Sequence, residues 1–288
     1  MASTFPKTPQ SFTQVQLSPL RRKTQSELKA IAPGHAFCVT VTCDAEALHQ
    51  FTRRCRAVRC RPPSALAYLA RCLGKTLASR TELLASQSGS TIYIPSRVDA
   101  IIAVEVQADG GTPTVRGLRF EDLANRTLDE IAEDMKTRMR QAKRMSVSDA
   151  PMSSRFAPKN APVWWHHFVQ SLRERTPASK KRRAHQMACV QLSSTAQWMD
   201  GRAGWGIRLY RPSAPSVMLV GQSRRPVAVG DEIAVRFCLD LAITFDHALV
   251  DGAPATRFIA ALCKEIESGQ ALEEFPIRER ERRVNTSS

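Results

Sequence analysis

The stretch LAITFDHALVDGAPATRFIAALCKEIE, residues 241–267, decides the fold. It opens inside the apolar run LDLAITF, Leu239 to Phe245, which has the length and composition of a buried strand. From about Ala253 to Glu267, Phe258, Ile259, Leu262 and Ile266 recur at helical spacing. Pro254 falls in the first turn, where its missing N–H is tolerated, and Ser268-Gly269 supplies the stop. Between strand and helix stand Asp246, His247, Asp251 and Gly252. An imidazole held between a buried strand and a helix start is rigid, and rigidity is what a proton-transferring base requires. His247 is thereby the candidate base. The other histidines have plainer settings: His35 in a turn, His49 on a helix surface, His166 and His167 in an irregular aromatic segment, and His185 at the end of a basic run. No two have the spacing of a metal-binding HExxH helix.

Working outward, HAFCVTVTCD (35–44) alternates with β-branched residues as a strand does, and Asp44 reads as the N-cap of the helix AEALHQFTRRCRA. Ser64 opens a second helix, SALAYLARCLGKTLAS. Residues 90–107 supply two strands, Asp109 to Gly111 turn the chain, and TPTVRGLRF continues extended. Thr127 caps a charged helix with Leu128, Ile131, Met135 and Met139 on its apolar side. Strands follow at 186–194, 216–222 and 232–245, and a short basic helix is expected near Pro19. There is no GxGxxG, no GxxxxGK[ST] and no regular βαβ repeat. The pattern predicts a single α/β domain over residues 17–275 with a mixed β-sheet flanked by helices. A disordered tail is expected at 1–16, an inserted surface segment at 150–185 and a charged tail at 276–288.

The 288 residues are 43% hydrophobic and 24% charged, enough for a substantial core. Lys and Arg number 42 against 27 Asp and Glu, a formal charge of +15. The basic residues are scattered, and no aromatics interleave with them as a base-stacking platform would need. A solvated basic surface, or attraction for a small polyanion such as coenzyme A, fits better than nucleic acid. No apolar run reaches the length of about 18 residues needed to span a membrane, and the N-terminus lacks the order of a secretory signal, so a cytoplasmic protein is expected. The eight cysteines include no CxxC and read as reduced structural thiols, with no metal.

The spacing HxxxDG, as His247, Asp251 and Gly252 within FDHxxxDGAxAxRFxxxL, resembles the C-terminal signature of the catalytic domain of 2-oxoacid dehydrogenase E2 components. These are the dihydrolipoamide acyltransferases, which share the chloramphenicol acetyltransferase fold. LSPLRRKTQSELK (17–29), FCVTVTCDAEALHQF, PPSALAYLARCLGKTLAS, RTLDEIAEDMKTRMRQAK and APSVMLVG (214–221) resemble other segments of that domain more weakly. The resemblance implies a chloramphenicol acetyltransferase-like domain that forms a homotrimer or a larger assembly of trimers, with the active site between subunits. It implies that His247 takes the proton from a hydroxyl or thiol as that group attacks the thioester of an acyl-CoA, acetyl being the expected acyl group. An unperturbed imidazole, with a pKa of about 6.5, is largely neutral at physiological pH and suits this work. The family's oxyanion donor, a serine at a strand end, matches Ser193 in CVQLSSTAQW, with Ser194 and Thr195 as alternatives if the register slips. Asp251 would pair with Arg21 or Arg22 to brace the loop, and Gly252 would allow close backbone passage.

The departures shape the expected activity. No lipoyl or subunit-binding domain fits ahead of residue 17, GGTPTVRGLRF replaces a GLVVPVI-like stretch, and Ser194-Thr195-Ala196 replaces Asn-Leu-Gly after the serine. The expectation is a stand-alone acyltransferase using a coenzyme A thioester as donor, without a covalently bound lipoyl group, and acting on a small or carrier-bound metabolite. The alternatives are a dihydrolipoamide acyltransferase core using a separate lipoyl carrier and a non-catalytic trimeric scaffold. Neither nucleic acid nor a membrane is an expected partner.

Overall fold

The computed structural model describes residues 35–88, 91–107, 113–144, 188–207 and 214–277. In chain order the elements are β1 (Ala36–Asp44), α1 (Glu46–Ala57), α2 (Ala65–Leu77), β2 (Ser86–Ser88), β3 (Thr91–Tyr93), β4 (Ala100–Gln107) and β5 (Pro113–Phe120). They continue with α3 (Leu128–Arg144), β6 (Val190–Ser194), β7 (Ser216–Val229), β8 (Glu232–Asp246) and α4 (Gly252–Ser268). Six strands form one sheet in the order β1-β8-β7-β6-β4-β5, and β2 pairs with β3 separately. The β7/β6 and β6/β4 pairs are parallel and the others antiparallel, so the sheet is mixed. The expected tail at 1–16, the insert at 150–185, the tail at 276–288, the helix near Pro19 and the turn at Asp109 to Gly111 lie outside the described residues.

The two faces of the sheet differ, as the alternation of strand side chains dictates. Val39, Val41, Leu239, Leu241, Ile243, Phe245, Val217, Leu219, Leu192 and Ile102 point to the face covered by the helices. There they join Phe51, Leu69, Leu73, Ile131, Phe258 and Leu262 in one core. Tyr68 of α2 is fully buried, and its hydroxyl donates to the Ile266 carbonyl of α4 at 2.6 Å, which satisfies a polar group that burial would otherwise penalise. The intervening positions, among them Thr40, Thr42, Asp240, Thr244, Ser216 and Ser193, belong to the opposite and more polar face.

The helix ends follow from local chemistry. Ser64 accepts the Ala67 N–H at 3.1 Å. Thr127 and Glu130 form a reciprocal capping box, with bonds of 3.3 and 2.8 Å. Gly269 ends α4 with φ of 70°, and a Cβ there would lie 2.8 Å from that of Ala47. One cap differs from its expected position. Ala45 is the N-cap of α1, and the Asp44 carboxylate instead accepts the Glu46 N–H at 2.9 Å. Two strands also differ in length. β6 starts at Val190 rather than 186, whereas β7 runs on to Val229, because its outer half pairs with β8 in a two-stranded arm.

Candidate active site

His247 follows the last residue of β8 and is held by His35, just before β1, and by Phe37 on β1. Its backbone N–H donates to the His35 carbonyl at 2.6 Å, extending the β1/β8 pairing by one step. Its ring lies 5.0 Å from that of Phe37, which in turn stacks on Phe245 at 5.4 Å. The loop turns sharply because the buried Asp246 carboxylate accepts the Ala248 N–H, while the Asp246 carbonyl accepts the N–H groups of Leu249 and Val250. Asp251 takes the N-cap position of α4 with an extended backbone, its Oδ1 3.9 Å from His247 Nδ1. The imidazole is 53% exposed and the Asp251 side chain 85%, so both stand at the surface of the single chain. The pairing of Asp251 with Arg21 or Arg22 lies outside the described residues. Gly252 begins α4, and a Cβ there would meet nothing within 4 Å, so the expected close passage at this glycine is not found among the described residues.

Ser193, Ser194 and Thr195 lie at the far end of β6 and are separated by the face each presents. Ser194 alternates with Leu192 and pairs with Leu219, both core residues, and so belongs to the helix side. The Thr195 hydroxyl donates to the Val220 carbonyl at 3.1 Å. Ser193 shares the polar face with its partner Met218, over which Gly206 passes so closely that a Cβ there would lie 2.7 Å from the Met218 methyl.

His247 and Ser193 are not brought together within one chain. Register puts Ser193 level with Met218 and, across β7, with Ala242. His247 is then five residues further along and two strands across, about 19 Å away at about 3.3 Å per residue and 4.8 Å per strand. Two clefts, of about 320 and 120 Å³, include neither residue. The smaller is lined by Thr40, Thr42, Gly204, Trp205 and Asp240, on the same face as Ser193.

A polar cluster around the buried Asp240, beside that cleft, escaped the sequence reading. The Asp240 carboxylate accepts the Thr42 hydroxyl at 2.8 Å, the Gly204 N–H at 3.2 Å and the Arg225 guanidinium. Burial opposes the Arg225 charge, yet the bonds to Cys238 and Asp240 hold its pKa above the ordinary value. The cluster pins the 202–207 segment to the sheet. Phe37 also escaped notice, since one aromatic in a strand gives no sign of which residue it will support. His49 stacks on Phe237 at 5.3 Å, as a packing residue does. No described helix is long and apolar enough to cross a membrane.

Residues 211–273, which contain the His247 loop and α4, match the family described as 2-oxoacid dehydrogenases acyltransferase (catalytic domain). That segment is similar to this catalytic domain. The dihydrolipoyllysine-residue acetyltransferase component of the pyruvate dehydrogenase complex of Haemophilus influenzae is 31% identical over 100 residues, a match spanning 33% of this chain and 18% of that relative. The chain thus matches less than a fifth of the length of this larger relative. Among solved structures, a probable dihydrolipoamide acetyltransferase from Listeria monocytogenes superposes with a TM-score of 0.64 at 16% identity, covering 89% of this chain and 95% of that one. The cubic core of a pyruvate dehydrogenase multienzyme complex gives 0.65 at 16% identity, covering 93% and 100%. The mixed sheet with its flanking helices is the fold of these acyltransferase cores.

Proposed function

We propose that the chain is an acyltransferase that moves an acyl group between coenzyme A and a hydroxyl or thiol acceptor, with His247 as general base. The observation that carries this reading is the His247 loop. Within the segment that matches the acyltransferase family, the imidazole is fixed through its own backbone and through Phe37 while half of it stays open to solvent. A ring so placed can meet a substrate without reorganising, which is the geometric requirement for proton transfer.

In the forward direction the neutral imidazole takes the acceptor's proton as its oxygen or sulfur attacks the thioester carbonyl. The tetrahedral oxyanion accepts a hydrogen bond from a serine hydroxyl, and the departing coenzyme A sulfur recovers the proton from the imidazolium. Atoms and charge balance with no covalent enzyme intermediate. The separation of about 19 Å between His247 and Ser193 of one chain supports a site shared between subunits, in which His247 faces the partner subunit's Ser193. The arm of β7 and β8 beyond the reach of β1 and β6, with Val229, Ile233 and Val235 exposed, supplies apolar surface suited to such an assembly. A trimer is the assembly we propose.

The names of the relatives favour one acceptor as a second reading, a dihydrolipoyl thiol on a separate carrier. Incubation with acetyl-CoA and longer acyl-CoAs, with thiol release followed across a panel of acceptors that includes free dihydrolipoamide, separates the two. Transfer to dihydrolipoamide selects the lipoyl reading, and transfer to another hydroxyl or thiol selects the metabolite reading. No transfer from any acyl-CoA, with the protein folded and assembled, selects the scaffold and overturns the proposal.

A further inference from the structure

None of the eight cysteines forms a disulfide, but two of them are placed against each other. Cys43 on β1 and Cys263 on α4 have their sulfurs 3.2 Å apart, with the Cys43 thiol donating to the Cys263 sulfur. They lie 220 residues apart in sequence, on elements that pack directly across the core. Cys43 is fully buried, whereas Cys263 is partly exposed. A cleft of about 320 Å³ is lined by Asp44, the residue after Cys43, and by Glu267, one turn beyond Cys263, without either cysteine in its lining.

We propose that Cys43 and Cys263 are a reversible redox pair, oxidised by hydrogen peroxide to a disulfide that staples β1 to α4. The sulfurs need to approach by only about 1.2 Å to reach the bond length of about 2.05 Å, within the scope of a side-chain rotation and a small helix shift. The exposed member attacks first. The Cys263 thiolate displaces hydroxide from the peroxide O–O bond and becomes a sulfenic acid, and the hydroxide takes up a proton to leave as water. The Cys43 sulfur then attacks the Cys263 sulfur, the S–OH bond breaks, and the Cys43 proton leaves with the hydroxyl as a second water. Two thiols are oxidised by two electrons and one peroxide is reduced to two waters.

The local electrostatics assign the same roles. The hydrogen bond from Cys43 outweighs both burial and the Glu267 carboxylate and holds the Cys263 thiol below its ordinary range. The same hydrogen bond, with burial, pushes the Cys43 thiol up. β1 also carries Phe37, six residues from Cys43, and α4 starts one residue after Asp251, so the two joined elements are the ones whose other ends flank His247. The pair does not depend on the acyltransferase reading.

The test treats the folded, reduced full chain with a small excess of hydrogen peroxide, blocks the remaining thiols with N-ethylmaleimide in denaturant, and digests without reductant for mass spectrometry. The expected product is a linked peptide pair containing Cys43 and Cys263, two hydrogens lighter than the separate peptides. Two of the eight thiols then no longer alkylate, and dithiothreitol restores both. Cys263→Ser should abolish the link and leave Cys43 fully alkylated, and Cys43→Ser should leave Cys263 as the oxidised, unlinked residue. Should Cys43→Ser fail to fold, the Cys263→Ser variant at the less buried position still decides. Recovery of both cysteines alkylated from folded, peroxide-treated protein overturns the proposal, as does irreversible oxidation of Cys263 with Cys43 still alkylated.

Discussion

An imidazole is useful as a base only if its ring is aimed, and His247 has little of its own to aim it. Its neighbour Asp251 is 3.9 Å away and exposed, whereas Phe37 packs against the ring at a tilt of 57° and is itself braced by Phe245. Phe37→Ala should therefore lower kcat by about tenfold through lost orientation, while KM for the acyl-CoA stays within about twofold and Phe37→Leu recovers part of the loss; steady-state kinetics on the three proteins check this. Side-chain alternation along β6 separates the three hydroxyls. Ser193→Ala should cost about 100-fold in kcat, the scale of one oxyanion donor. Thr195→Ala, which removes the bond to the Val220 carbonyl, should cost about 1 kcal/mol of stability instead. Parallel turnover and denaturant-unfolding measurements distinguish them, and a damaging Ser194→Ala would move the donor by one position.

The elements hold together through a few bridging pairs, of which Arg71 and Glu274 form one. Arg71 on α2 grips the Glu274 carboxylate with two bonds, of 2.6 and 2.8 Å, and also donates to the carbonyls of Leu123 and Ala124. Glu274 in addition accepts the Leu128 N–H at the start of α3. Burial alone would raise the Glu274 pKa, but Arg71 and the Leu128 N–H outweigh it and hold it below the ordinary 4.5. The stabilisation is therefore present at neutral pH and is lost as pH falls below about 4.5 and through the lowered folded-state value. Glu274→Gln should cost about 2 kcal/mol at pH 7, with the gap to wild type narrowing under acid; urea unfolding at several pH values tests this. The helices were legible in the sequence because their signals are local: the Ser64 cap, the Thr127 cap and the Gly269 stop. The outer half of β7 was not, because SRRPVAV pairs only with β8, lacks a one-sided apolar pattern, and reads as an ending. Nor was the place of β6 between β4 and β7 legible, since parallel neighbours are set by contacts distant in sequence.

At the scale of the molecule, one chain holds the parts of the candidate site at two separate places on its sheet. The His247 loop was readable from its spacing, but its distance from Ser193 depends on the β6/β7/β8 register and was not. An assembly that buries the β7/β8 arm would resolve the separation. Ile233 is 82% exposed near the tip of that arm, and Ile233→Glu should shift the protein from trimer to monomer by light scattering and abolish activity while its circular dichroism stays unchanged. The base itself is tested most directly by thiol release from acyl-CoA in His247→Ala, measured on protein shown to be folded and assembled. The expected result is a loss of turnover on the order of 10³-fold, with the oligomer unchanged. Turnover equal to that of the unaltered chain would contradict the assignment of His247.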